Sequence, residues 1–416
     1  MKAKNNELNR RNFLKTVGAA GLGSVFASAQ AKTEPNEPKK EKTQEPEYPQ
    51  MPKRKLGRTG ADVSCLGIGV MFNAIDNQIL LRNTLKYGVT FWDTADGYAG
   101  GNSELGIGKY LEKNPEVRKN LFILSKTSRA KTISDIEQPL QQSLERMNTD
   151  YIDAYFPHWI SDPSQLTDEL KQWAENAKKR GLIRYFGFST HSNMAELLTA
   201  AAKLGWVDLI MTSYNFRLIE NTEMQTAIDA CHKAKIGLVA MKAAGKAIHD
   251  RRGQVIVTEA DKKLMEQLLK RGFTQEQAAI KLVLEDERIS CACVGMESVP
   301  LLTTNVAAIL DKTKLTQADR RVFKEYAEAT CSGYCAGCAN ICDSALPEVP
   351  YTSDIMRYLM YYNSYGDKKR AKELFAQIPR NVRKKLLSIN YRAAEIQCPQ
   401  HMPIGKLMAE AVNKLT

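Results

Sequence analysis

A chain of 416 residues is longer than one average domain, and with 43% hydrophobic and 25% charged residues it can bury a core without staples. A net charge of +12 and a pI near 9.1 raise nucleic acid as a partner, but Lys and Arg are scattered among acids, with no basic run interleaved with aromatics, which argues against that class. Nine cysteines, an odd number with five of them late in the chain, make a poor disulfide framework.

The chain opens "MKAKNNELNRRNFLKTVGAAGLGSVFASAQAKTEP". A positive segment precedes a short Gly/Ala-rich apolar run, and Ala29-Gln30-Ala31 fits a cleavage site. The run is too weak to span a membrane, so no transmembrane segment is expected after cleavage. Arg10-Arg11 followed by Asn12-Phe13-Leu14-Lys15 resembles the bacterial twin-arginine signal. That resemblance implies export to the periplasm by the twin-arginine translocase, in a folded state with any cofactor already loaded. Residues 1–31 are read as the signal. Residues 32–50, rich in Pro, Glu and Lys, cannot bury a core and are read as a disordered spacer.

From Met51 onward strands and helices alternate. "VSCLGIGV", "TFWDTADG", "LFILSKTS", "YIDAYFPHW", "IRYFGFST", "VDLIMTSYN", "IGLVAMKAAG" and "ISCACVGM" read as eight strands, with amphipathic helices between them. Strands apolar on both faces suit a parallel sheet covered by helices. Eight such units over 51–312 match an α/β fold of the (β/α)8 TIM barrel type. A doubly wound open sheet is the alternative, but "GIGVMF" lacks the third glycine of a dinucleotide turn. In a barrel the strands end on one face, so Asp93, Tyr98, Lys126 and His158 should converge there. Together they suit proton delivery to a carbonyl as hydride arrives. Tyrosine is the acid, lysine lowers its pKa, the carboxylate holds the lysine, and histidine aligns the carbonyl oxygen.

The motifs "DTADGY", "SK" and "YFPHW", with the opening "KRKLGRTGADVSCLGIG", resemble the aldo-keto reductases over residues 51–312. The resemblance implies reduction of small aldehydes and ketones, or oxidation of alcohols, with Asp93, Tyr98, Lys126 and His158 as the catalytic tetrad. It implies NADPH or NADH as cofactor, with Ser189 at the carboxamide, Ser298 and Asn305 at the adenosine end, and Tyr214 and Lys242 also at the cofactor. Met211 and Met241 stand where the family often has glutamine and an aromatic. Glu297 stands near where the family often has a cation that reads the 2′-phosphate; an acid there would repel that phosphate and tolerate the bare ribose of NADH. A barrel that binds without turnover, carrying a structural metal tail, is the rival reading.

Cys65, Cys231, Cys291 and Cys293 lie among apolar neighbours and read as core. Residues 313–416 form a helical, cysteine-rich module, with helical spacing in "DIMRYLMYYNSYG", "KRAKELFAQI" and "NVRKKLLSI" and aromatics read as packing. The basic stretches "DKKRAK" and "RNVRKK" are solvated faces or a dock for an acidic redox partner. "CSGYCAGCANICD" and Cys398-Pro399 resemble the split ligand runs of bacterial ferredoxins. By that resemblance one [4Fe–4S] cluster is held by Cys331, Cys335, Cys338 and Cys398, with Cys342 as the alternative fourth ligand. Zinc and disulfides are the other readings of these cysteines.

Overall fold

The computed structural model describes residues 48–127, 132–244 and 259–416. The export signal with Arg10 and Arg11, and the spacer up to residue 47, lie outside the described residues. The spacer's last residues are packed. The Tyr48 ring meets Tyr87 edge-on at 5.4 Å, and Gln50 donates to the Lys86 carbonyl at 2.9 Å.

A hairpin of β1 (Lys53–Lys55) and β2 (Asp62–Ser64) precedes the barrel. "VSCLGIGV" is therefore two strands: Val63 and Ser64 pair within the hairpin, and Leu66–Gly69 begins the barrel as β3. The other seven strands are β4 (Phe91–Asp93), β5 (Phe122–Thr127), β6 (Ile152–Pro157), β7 (Ile183–Thr190), β8 (Leu209–Ser213), β9 (Gly237–Met241) and β10 (Cys291–Gly295). They close in the order β10-β3-β4-β5-β6-β7-β8-β9, every pair parallel. The open-sheet alternative is thereby excluded. Phe91, Phe122, Leu124, Phe156, Leu209 and Val239 fill the interior, and Leu56 and Val63 of the hairpin join them.

The helices between strands are α1 (Gln78–Lys86), α2 (Asn102–Lys113), α3 (Ser134–Arg146), α4 (Asp168–Lys179), α5 (Met194–Leu204) and α6 (Thr222–Lys233). Two helices, α7 (Glu259–Lys270) and α8 (Gln275–Leu284), stand before β10 where one was expected, and α9 (Val299–Leu310) follows it. Helix α10 (Gln317–Ala329) still packs on the barrel: Val322, Phe323 and Tyr326 share a cluster with Phe216, Leu264, Leu268 and Phe273.

The tail has its own core, from Leu346 to Leu415. It is built on α11 (Ala339–Ala345), α12 (Thr352–Asn363), α13 (Lys368–Ala376), the single turn α14 (Arg380–Arg383), α15 (Arg392–Gln397) and α16 (Ile404–Leu415). "NVRKKLLSI" gives only that one turn, because Leu386 turns into the core while Leu387 points out, which breaks the helical stripe. The two cores meet. Trp159 of the barrel packs against the tail's core, and Ala336 packs against the barrel's. Among the described residues, no helix is long and apolar enough to cross a membrane.

Candidate active site

The register brings the predicted tetrad to one end. Asp93 closes β4 opposite Gly69, Lys126 pairs with Phe156 near the end of β5, and the His158 amide, just past β6, donates to the Thr127 carbonyl at 3.1 Å. Lys126 is buried. Its Nζ forms an ion pair with Asp93 and donates to the Thr94 carbonyl at 2.8 Å. It also lies 4.9 Å from the centre of the Tyr98 ring, and that ring stands edge-on to His158 at 6.0 Å. After Tyr98 the chain turns through Ala99, Gly100 and Gly101, all at positive φ, before α2 begins. Beneath this turn, buried Glu104 accepts from Ser125 at 2.6 Å and from Arg146 at 3.2 Å, and Arg146 donates to the Asp96 carbonyl at 2.9 Å. That network anchors the loop carrying Tyr98.

The electrostatics correct one expectation. The Tyr98 pKa is raised, not lowered. Burial and then the Asp93 charge hold the phenol well above its ordinary value. The lysine's charge is engaged with Asp93, and its position over the ring face is a cation–π contact. Burial pushes the Asp93 carboxyl up, and Lys126 opposes it. His158 is held well below its ordinary value by burial and then by Lys126, His191, Arg370 and Lys242, so the ring is neutral. Among the described residues its Nδ1 is buried without a hydrogen-bond partner, which leaves that atom for a bound group.

The residues expected at the cofactor fall in different places. The Ser189 hydroxyl accepts from the Trp159 amide at 3.2 Å. The Tyr214 hydroxyl donates to Asp286 at 2.9 Å and accepts from Gln225 at 2.8 Å, so its polar atom belongs to the barrel wall. Ser298 caps α9, its hydroxyl accepting from the Leu301 amide at 3.4 Å, and Glu297 beside it is exposed. Asn305 is buried two turns further along that helix. Lys242, just past β9, sits over the rings of Tyr361 and Tyr365 at 4.9 and 4.5 Å. Lys246, the other lysine that could supply a charge for a 2′-phosphate, lies outside the described residues.

The tail completes the mouth of the barrel. The Asn193 amide donates to the Gly337 carbonyl at 2.7 Å, the Asn340 amide to Asn193 Oδ1 at 2.9 Å, and the Arg357 guanidinium to Ser192 Oγ at 2.7 Å. Gly337 holds φ +80°, and a Cβ there would stand 2.0 Å from the His191 carbonyl oxygen. Above the ends of β7 to β9, Tyr334, Tyr361 and Tyr365 close on His191, Ser213 and Lys242, leaving a cavity of only about 10 Å³. Arg370 was read as part of a solvated basic stretch. Its guanidinium instead lies 4.9 Å from the centre of the Trp159 ring. Sequence reasoning missed His191, although it directly follows a strand end. It also missed Arg357 and Tyr361, whose only signal was i, i+4 spacing on a helix read as packing.

The sequence profile of the Aldo/keto reductase family matches residues 68–326. The chain belongs to the aldo/keto reductase family. An uncharacterized oxidoreductase of Bacillus subtilis strain 168, YrpG, is 24% identical over 299 residues, covering 62% of this chain and 91% of its own. The holo form of aldo-keto reductase AKR11C1 from Bacillus halodurans superposes with a TM-score of 0.56 at 23% identity, over 67% of this chain and 96% of its own. A Pseudomonas aeruginosa aldo-keto reductase described as putative gives 0.48 at 24% identity, over 62% and 94%. Aldo/keto reductases are oxidoreductases that use nicotinamide cofactors on a (β/α)8 barrel, and this chain carries that barrel. The family match ends at residue 326 and leaves the cysteine-rich tail outside it.

In that tail burial raises the pKa of Cys335, Cys338 and Cys342, and the Cys398 charge adds to the rise at all three, with Cys335 adding to it at Cys338 and Cys342. Cys338 is pushed up to about 11. The charge of Cys331 is felt instead at Arg217. A 3-10 turn over Cys331–Gly333 starts the segment at the Arg217 side, while Cys342 lies one helical turn past Cys338, on the same face. Four neighbouring thiolates are a soft donor set suited to an iron–sulfur cluster or zinc. Among the described residues, no three candidate ligands are arranged as a ready-made metal cage.

Proposed function

We propose that the protein is an exported oxidoreductase that reduces a small carbonyl compound, or oxidises the corresponding alcohol, at Asp93, Tyr98, Lys126 and His158. The observation that carries this is the convergence of all four at the C-terminal ends of the strands, with Lys126 ion-paired to Asp93 and placed over the Tyr98 ring. A bound nicotinamide supplies the hydride. Neutral His158 donates a hydrogen bond to the carbonyl oxygen and orients it. Tyr98 carries its proton throughout the neutral range and gives it to the oxygen as charge builds there, since an alkoxide is a far stronger base than a phenolate. Glu297 beside the α9 N-terminus favours NADH over NADPH.

For the tail we propose one [4Fe–4S] cluster held by Cys335, Cys338 and Cys398 with Cys331 or Cys342 as the further ligand, a reading supported by the spacing of these cysteines. The cluster serves electron transfer or structure, and the exposed Lys384 and Lys385 suit an acidic redox partner. Export by the twin-arginine route is consistent with loading before translocation. The rival reading, a binding protein without turnover, is favoured by one observation: the tail tyrosines nearly close the space above β7 to β9.

Oxidation of NADH and NADPH in the presence of an aldehyde panel tests the enzyme reading. Wild type turns over, and Tyr98→Phe loses on the order of 10²-fold or more, the scale of general-acid catalysis. Equal activity of the two proteins would overturn the assignment.

A further inference from the structure

Asp93 is the one carboxylate of the tetrad, and two strands supply it with hydrogen bonds. Lys126 reaches it from β5. Cys293 of β10 reaches it from the other side, its thiol hydrogen-bonded to the same carboxylate. β10 and β4 both pair with β3, one on each side. Interior layers of a barrel are filled from alternate strands, so side chains of β10 and β4 can meet where β3 presents none between them. That condition holds here, because β3 turns Gly67 and Gly69 to the interior. A Cβ on Gly67 would stand 2.7 Å from the Phe91 ring and 2.9 Å from Cys291 Sγ, and one on Gly69 would stand 3.8 Å from Cys293 Sγ. Cys293 shares the interior cluster with Phe91 and Cys291. It is buried as a core residue should be, yet its polar atom is directed at the site. Burial and then the Asp93 charge hold the thiol protonated, so toward the carboxylate it is the donor. The other charges facing Asp93 are Lys126 from β5 and Lys242 just past β9, and Tyr98 faces it from the loop after β4. Burial works against the Asp93 charge. Protonation would end its ion pair with Lys126 and release the lysine from its place over the Tyr98 ring. A donor on the carboxylate opposes that protonation.

We infer that Cys293 is a positioning residue for the reaction: its thiol donates to the Asp93 carboxylate across the bare interior face of β3, keeps that carboxylate ionised, and so holds Lys126 against Tyr98. This rests on the carbonyl reading above. It also gives the two interior glycines of β3 a role, since they leave open the space through which the contact is made.

The test compares Cys293→Ser, which keeps a donor, with Cys293→Val, which keeps the bulk without one. Cys293→Ala replaces the valine variant if thermal unfolding shows that the latter does not fold. With 4-carboxybenzaldehyde as the probe, Cys293→Val should lose roughly 3- to 10-fold in kcat, the scale of one hydrogen bond, with the aldehyde KM unchanged, and Cys293→Ser should stay near wild type. A second readout needs no turnover. Infrared titration of the Asp93 carboxyl, its band assigned by loss in Asp93→Asn, should show protonation at a pH higher by roughly 0.5 to 1 in Cys293→Val and close to wild type in Cys293→Ser. The sign follows from the donor: losing it removes a bond made only to the charged form. An Asp93 titration unmoved in Cys293→Val overturns the inference and leaves the carbonyl reading standing. Equal losses in the serine and valine variants also overturn it, since packing would then be the cause. A shifted Asp93 titration with no turnover by wild type overturns the carbonyl reading and keeps the hydrogen bond.

Discussion

Tyr98 and His158 are displaced in opposite directions by one cause, since burial penalises the charged form of each, phenolate for one and imidazolium for the other. The site therefore holds a protonated acid and a neutral hydrogen-bonding ring over the neutral pH range. Carbonyl reduction should accordingly show no acid limb near pH 6.5 and no alkaline limb until above 10, the ordinary values these groups have left behind. The same shift has a stability consequence. His158 has a folded pKa below its unfolded value of 6.5, so the unfolded chain binds more protons as pH falls through that value. The histidine costs nothing above that pH and destabilises progressively below it. Asp93 and Glu104, both raised, act with the opposite sign, so the comparison must be a difference. Calorimetry from about pH 7.5 to 5.5 should show the Tm of wild type falling more steeply than that of His158→Phe. Parallel lines would contradict the buried neutral ring.

Asp93, Lys126 and His158 were legible because strand boundaries were legible, and parallel strands of a barrel all end on one face. The sign of the Tyr98 shift was not, because it depends on how deeply the loop after β4 is covered, and the cover comes from residues more than 250 positions away, among them Tyr361 and Arg370. The loop from Cys335 to Cys338 shows the same limit. Its spacing suggested a ligand run, but not that Gly337 would lie against the His191 carbonyl. This contact makes the loop a clasp between tail and barrel. Gly337→Ala adds a Cβ at 2.0 Å from that oxygen on top of a left-handed backbone, whereas Gly366→Ala meets open space at a similar φ of +69°. The second should cost roughly 1–2 kcal/mol, the left-handed strain alone, and the first distinctly more. Thermal unfolding of the two variants decides it, and equal losses would mean that the clasp is not a tight contact.

Barrel and tail each have a core, yet they meet at the site: the barrel carries Asp93, Tyr98, Lys126 and His158, and the tail covers its mouth with Tyr361 and Arg357. The barrel could be read from periodicity alone. The docking of the tail could not, since no local pattern records which face of a helix meets a distant loop. The cluster proposed for the tail can be tested by its metal content and by its ligands. Anaerobically purified protein should contain iron and sulfide, Cys342→Ser should lose them, and Cys331→Ser should keep them. The reverse pair of results would restore Cys331 as a ligand. The tetrad is the centre of the account, and isotope transfer tests it most directly. Wild-type protein is mixed with 4-carboxybenzaldehyde and NADH or NADPH deuterated at C4 of the nicotinamide, and the alcohol is examined by mass spectrometry and NMR. Deuterium on the carbinol carbon, lost on the order of 10²-fold or more in rate with Tyr98→Phe, is the result predicted here. An alcohol without deuterium, or no alcohol from any aldehyde with either cofactor, would contradict it.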